Sequence, residues 1–221
     1  MDPRGTSRRV ELALLHDRAH YEVLVAGEIA AAKVSVWIAT ANVKGLMIEA
    51  PRGSRARARD RYVSILDLFD ALHGRGVELR LLHSGVPSGP FRAELARHPG
   101  LVKGGLAVRR CPRVHLKMIA VDGAWLYLGS ANFTGAGLGA KGDRRRNFEA
   151  GVLTSDESLL DDMQGAYDRI WTGGECPGCR LRDLCPRPLD GGGRAIGRSM
   201  KRGGSPRRGQ DLARKGRGSD T

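Results

Sequence analysis

Apolar and polar positions follow two rhythms along this chain, one close to every third or fourth residue and one close to every second. Between residues 8 and 32, Leu12, Leu15, Ala19, Val23, Leu24 and Ala30 recur about one helical turn apart, which predicts a helix. "KVSVWIATA" (33–41) is β-branched and almost continuously apolar, as expected of a strand covered on both faces. There follow a polar, arginine-rich loop at 49–62, an amphipathic helix over 63–76 closed by Gly74, and a strand over 77–85. A short helix at 90–98, a strand at 106–111, an apolar hairpin over 113–135, a strand at 147–155 and an amphipathic helix reaching Trp171 complete the series. Strands alternating with helices, then a hairpin, indicate an α/β domain: a mixed β-sheet flanked by helices on both faces.

The pattern changes at residue 190, where "DGGGRAIGRSMKRGGSPRRGQDLARKGRGSDT" holds too few large apolar residues to offset its chain entropy. The expected organisation is an α/β domain over 1–172, a small cysteine-rich segment over 173–189 and a disordered basic tail over 190–221. Charge adds a partner class. The chain carries a formal +13, and the tail, with nine Arg or Lys against three Asp, supplies only six of those charges. The α/β part is basic in its own right, which predicts attraction to polyanions, nucleic acid before an anionic membrane surface. There is no apolar run of about 18 residues to make a transmembrane segment. The N-terminus lacks the pattern of a secretory leader, so a cytoplasmic location is expected.

Chemistry concentrates in the hairpin, "RVHLKMIAVDGAWLYLGSANFTG" (113–135), where His115, Lys117, Ser130 and Asn132 interrupt apolar arms. Each would cost free energy in a core without a partner or a task. Asp122-Gly123 is a two-residue turn signal. With that turn and no bulge, Val121 faces Ala124, His115 faces Ser130, Lys117 faces Leu128, and the four polar residues share one face. Lysine offers a fixed charge, serine and asparagine offer hydrogen bonds, and histidine serves as nucleophile or acid/base. Together they describe a phosphate site beside a reactive imidazole.

His115-x-Lys117-x4-Asp122, followed by Gly129-Ser130-x-Asn132, resembles the HKD signature of the phospholipase D superfamily. Asn147 and Glu149 in "RRNFEAG" resemble its downstream N-x-E element, and the resemblance extends over roughly residues 20–172. It implies a phospholipase D-like fold and a phosphodiesterase that needs no cofactor for its chemistry. On that resemblance His115 is nucleophile or acid, and Lys117, Asn132 and Ser130 steady the developing charge. Glu149 would bond the other imidazole nitrogen, and Asp122, counted with the catalytic set, is mainly a turn residue. The chemistry wants two histidines and the chain has one H-x-K, so a homodimer with its site across a two-fold interface is expected. The glycine-rich loop 135–146 is expected to be mobile and to end in Arg144, Arg145 and Arg146, which with Asn147 are candidates for holding substrate phosphates. The reading favoured is a metal-independent endonuclease acting through a phosphohistidine. The alternatives are a phospholipase D or phosphatidyltransferase acting on anionic lipids, and a catalytically silent nucleic-acid-binding subunit of a larger bacterial defence or repair complex.

The cysteines form a separate motif. Cys176-x2-Cys179-x5-Cys185 follows the last helix, and C-x2-C aims two thiolates at one ion. Cys111, four residues before His115, is the remaining cysteine and the expected fourth ligand. Structural zinc is the first choice. A [4Fe–4S] cluster is the alternative, since the spacing also resembles that of cluster-bearing nucleases of the RecB type.

Overall fold

The computed structural model describes residues 9–50, 62–185 and 187–191. The expected arginine-rich loop residues 52–61 and nearly all of the basic tail lie outside the described residues.

The described residues form nine strands: β1 (Ala13–His16), β2 (Ser35–Thr40), β3 (Met47–Glu49), β4 (Tyr62–Ser64), β5 (Glu78–His83), β6 (Ala107–Arg110), β7 (Met118–Val121), β8 (Trp125–Gly129) and β9 (Ala150–Thr154). Seven make one sheet in the order β1-β9-β8-β7-β2-β5-β6, while β3 and β4 pair apart from it. The pairs β2·β5 and β5·β6 are parallel and the rest antiparallel, so the sheet is mixed, as the pattern predicts.

Alternation along the strands sends side chains to two cores. Val36, Ile38, Leu79, Leu81, Ile119, Val121 and Tyr127 face a π-helix (His20–Ile29) and the helices α1 (Ile65–Gly74) and α2 (Gly89–Leu95). On the other face Ala39, Leu82, Met118, Ala120 and Leu126 meet Leu160, Tyr167 and Trp171 of α3 (Glu157–Trp171). Local signals set the helix starts. Ser64 caps α1 by accepting from Leu66 N at 3.2 Å, while Asp67 accepts from Ser64 N at 2.8 Å, a reciprocal capping box. Asp156 caps α3 through Leu159 N at 2.8 Å. Trp37, Tyr167 and Trp171 stack in series, and Arg80 lies 4.2 Å over the Trp37 ring, which pins α3 to the sheet.

Two expectations change. The helix expected over 8–32 begins only at His20, because Ala13–His16 pairs antiparallel with β9 as an edge strand. Its apolar residues satisfy either period, and the deciding partner lies more than a hundred residues away. The hairpin register also differs by one. Asp122 (φ 57°) and Gly123 (φ 63°) make the expected turn, with Ala124 N donating to Val121 O at 2.9 Å. Val121, however, pairs with Trp125, leaving Ala124 as an extra residue and placing Met118 opposite Leu128. The polar residues are therefore not aligned across a regular ladder, since His115 and Lys117 precede β7 and Ser130 and Asn132 follow β8.

Candidate active site

Sheet direction gathers what the register does not. The strands β1, β2 and β8 run one way and β7 and β9 the other. The segments after β2 and β8, the segment before β7 and the segment before β9 consequently meet at one end of the sheet. That end, beyond strand carboxyl termini, is where open α/β sheets commonly bind ligands.

His115 and Lys117 enter from the linker before β7. The ammonium of Lys117 lies 3.0 Å from His115 Nδ1 and 3.3 Å from Nε2, and donates to the His115 carbonyl at 3.0 Å. His115 is exposed and Lys117 half-buried. From the segment after β8, Asn132 turns its Oδ1 inward, accepting from Asn42 N at 3.1 Å with the Thr40 hydroxyl at 3.3 Å. These contacts fix the amide flip so that its N–H groups face outward, as donors for an anion. Ser130 donates to Glu149 Oε2, and its oxygen accepts from Ala150 N at 3.1 Å. Asn147 Nδ2 donates to Glu149 Oε1 at 2.9 Å. The carboxylate expected to hold an imidazole is thus occupied, within one chain, by Ser130 and Asn147.

Glu149 is itself anchored by a residue that the sequence pattern hides. Asp17 N donates to Glu149 O at 3.1 Å, and Glu149 N donates to Asp17 Oδ1 at 3.1 Å. Beneath them the buried Tyr127 ring fills the space where side chains at Gly129 and Gly151 would stand, so both positions need glycine. His20 meets this ring edge-on, with centroids 5.4 Å apart. Burial lowers the His20 pKa, against the Asp17 carbonyl and the Glu149 charge, which act to raise it. Burial also pushes the Tyr127 hydroxyl up to about 12, with the Ala131 backbone acting the other way. His20 is an interior neutral group.

The loop after Asn132 is packed rather than mobile in its first half. Leu138 is fully buried, a Cβ at Gly137 would strike the Asn132 carbonyl, and one at Gly139 (φ 67°) would strike the Asp17 carbonyl. Its glycines serve close approach. Beside Asn132 and Asn147 this loop closes a polar pocket of about 200 Å³ with Asn42, Lys44 and Lys141. Arg144 and Arg145 are exposed, whereas Arg146 is half-buried and pairs with Asp143 at 2.7 Å. The sequence reading missed Asp17, Thr40, Asn42, Lys44 and Lys141. Thr40 and Asn42 carried a usable signal, polar residues directly after an apolar strand. Asp17 carried none.

Asp122 is a correction. It lies at the opposite end of β7 from His115, where its carboxylate accepts from the N–H groups of Lys33, Val34 and Ser35 at 2.7–3.1 Å. Burial acts to raise its pKa, but the three backbone N–H groups outweigh it and hold the group below the usual carboxylate range. Asp122 ties the hairpin to the start of β2 and has no part in the polar cluster.

The four cysteines do converge. Cys111, Cys176, Cys179 and Cys185 line one pocket of about 210 Å³ between the β6–β7 linker and the segment after α3.

A family model described as cardiolipin synthase, PLD-like domain, matches residues 25–171. Among solved structures, a phospholipase D family member, Nuc from Salmonella typhimurium, is 22% identical, with 74% of this chain and 95% of that one covered at a TM-score of 0.50. NucT from Helicobacter pylori is 16% identical, with 73% and 95% covered at 0.50. At these identities the likeness speaks to the fold. Comparison with curated proteins returns no match.

Proposed function

This chain belongs to the phospholipase D-like family, and from that premise we propose that it is a metal-independent endonuclease working as a homodimer. The observation that carries the proposal is the meeting, at one sheet end, of the His115–Lys117 pair, the outward Asn132 amide and the Ser130–Glu149–Asn147 network. An exposed imidazole attacks the phosphorus, forming an N–P bond while the P–O bond to the leaving group breaks. The leaving oxygen takes a proton from a second imidazole, and water then hydrolyses the phosphohistidine. Lys117 and the Asn132 amide supply charge and hydrogen bonds to the non-bridging oxygens. Ser130, oriented by Glu149, adds to them.

Of the histidines only His115 has a lysine two residues on, and one such pair per chain supports a site made by two copies. Phe148, 96% exposed between Asn147 and Glu149, supports it further, because an apolar ring at the rim of the site is what a partner surface would cover. For nucleic acid speak the net charge of +13 and the cations around the pocket, Lys44 and Lys141, with Arg144 and Arg145 exposed nearby in the chain. No helix among the described residues is long and apolar enough to cross a membrane.

The test is cleavage of end-labelled single- and double-stranded DNA and RNA in excess EDTA, with His115→Ala in parallel. The expected result is cleavage that survives EDTA and falls about 10³-fold or more in the variant. Salt-sensitive binding by both proteins without cleavage refutes the enzymatic reading. Turnover of anionic phospholipid vesicles but not of nucleic acid refutes the substrate class.

A further inference from the structure

Outside the polar cluster, the feature with the most unexplained chemistry is the four-cysteine pocket. The segment that supplies three of its sulfurs lies beyond the residues matched by the family model. Its backbone is a run of tight turns: Cys176 N donates to Gly173 O, Cys179 N to Cys176 O, Arg182 N to Cys179 O and Cys185 N to Arg182 O, at 2.9–3.2 Å. A turn every third residue returns positions 176, 179 and 185 to one side, and Gly178 (φ 73°) provides the left-handed step between the first two. The facing wall is the β6–β7 linker. There Cys111 N donates to His83 O at 2.9 Å and Val114 N to Cys111 O at 3.0 Å, which holds Cys111 toward the segment. All four thiols are half-buried and none is in a disulfide.

We propose that Cys111, Cys176, Cys179 and Cys185 ligate a [4Fe–4S] cluster that staples the C-terminal segment onto the α/β domain. Sulfur spacing separates this from zinc. A tetrahedral zinc ion with Zn–S bonds of about 2.3 Å draws its thiolates to about 3.8 Å from one another. A cubane cluster, whose irons stand out from its centre, spreads its terminal thiolates to about 6 Å. Among the described residues, Asp67, Glu94 and His98 bring three ligand atoms within 4.8 Å of one another, and the cysteine sulfurs form no group that tight.

The lining suits the charge. Four thiolates on an oxidised cluster carry a net −2, and Arg110, Arg113, Arg169 and Arg182 line the pocket, with Glu175 beside Arg169 and Asp190 paired to Arg182. The Arg113 guanidinium also stands beside the Cys179 sulfur in this lining. Assembly takes two ferrous irons, two ferric irons and four sulfides from the surrounding supply, and each thiol releases its proton as its S–Fe bond forms. The segment is already docked, since Arg109 Nη1 donates to Trp171 O at 2.6 Å and to Leu189 O at 3.4 Å. The cluster completes that dock and fixes the linker four residues before His115.

The deciding measurement is iron, sulfide and zinc content of the full-length protein purified without oxygen, with its visible spectrum. The expected values are about four irons and four sulfides per chain and a broad band at about 400 nm, both lost in Cys111→Ala. About one zinc per chain without sulfide overturns the proposal. So does a wild-type protein that takes up neither iron nor sulfide when supplied with both, and so does a Cys111→Ala protein that keeps its full iron. The wild-type stoichiometry decides the matter even where a variant fails to fold.

Discussion

Removing the Asp122 carboxylate separates the structural part of the histidine–lysine–aspartate pattern from its chemical part. In Asp122→Ala, three backbone N–H groups at the start of β2 lose an ionised acceptor 2.7–3.1 Å away. Hydrogen bonds to charged groups are worth about 1.5–3 kcal/mol each, and water reaches this half-buried site to replace much of that. Alanine must also hold φ near 57°, which costs about 1 kcal/mol where aspartate tolerates it. The net loss is about 3–4 kcal/mol, a fall in Tm of about 10 °C for a domain of this size. Asp122→Asn keeps the turn and one acceptor oxygen, so it should lose about half as much. The pH dependence has a definite sign. The folded pKa lies below the ordinary 3.8, so the stabilisation is fully present above about pH 4 and is lost as pH falls through the folded value. Melts of wild type and Asp122→Ala should therefore differ at pH 7, and the difference should narrow as pH falls below 3.8. Phosphodiester turnover at 25 °C should stay within about twofold of wild type, in contrast to His115→Ala. An Asp122→Ala protein that melts with wild type at pH 7 refutes the anchoring argument. One that keeps its Tm but loses more than about a hundredfold in kcat returns Asp122 to the catalytic set.

Three further outcomes follow from the same geometry. Phe148→Asp, at the exposed rim of the site, should weaken self-association at least about tenfold in sedimentation; a wild-type protein that turns over fully as a strict monomer removes the shared site. Gly151→Ala drives a methyl into the buried Tyr127 ring beneath Glu149 and should cost about 1–3 kcal/mol of stability; an unchanged melt contradicts the close packing. Burial holds the His20 and His83 pKa values below 6.5, so both stay neutral in the fold and bind protons on unfolding. Their stabilisation is present above pH 6.5 and lost as pH falls through the lowered values, and a Tm that stays flat from pH 7 to pH 5 would count against it.

Much of the architecture is local and therefore readable in the chain. β-branched apolar runs make β2 and β5, the Ser64–Asp67 box starts α1, and Asp122-Gly123 makes its turn, because each is set by neighbours a few residues away. The residue types of the site and the cysteine spacing are equally plain. Three things were decided only by tertiary structure. β1 is a strand because β9 lies beside it, although its apolar spacing suits a helix equally well. The extra residue at Ala124 shifts the hairpin by one, so His115, Lys117, Ser130 and Asn132 are gathered by strand direction rather than by alternation on a ladder. Asp17, more than a hundred residues from Glu149, holds it through two backbone-anchored hydrogen bonds that no spacing reveals. Pattern in a sequence reports short-range geometry; which distant segments share one end of a sheet depends on the pairing of the whole.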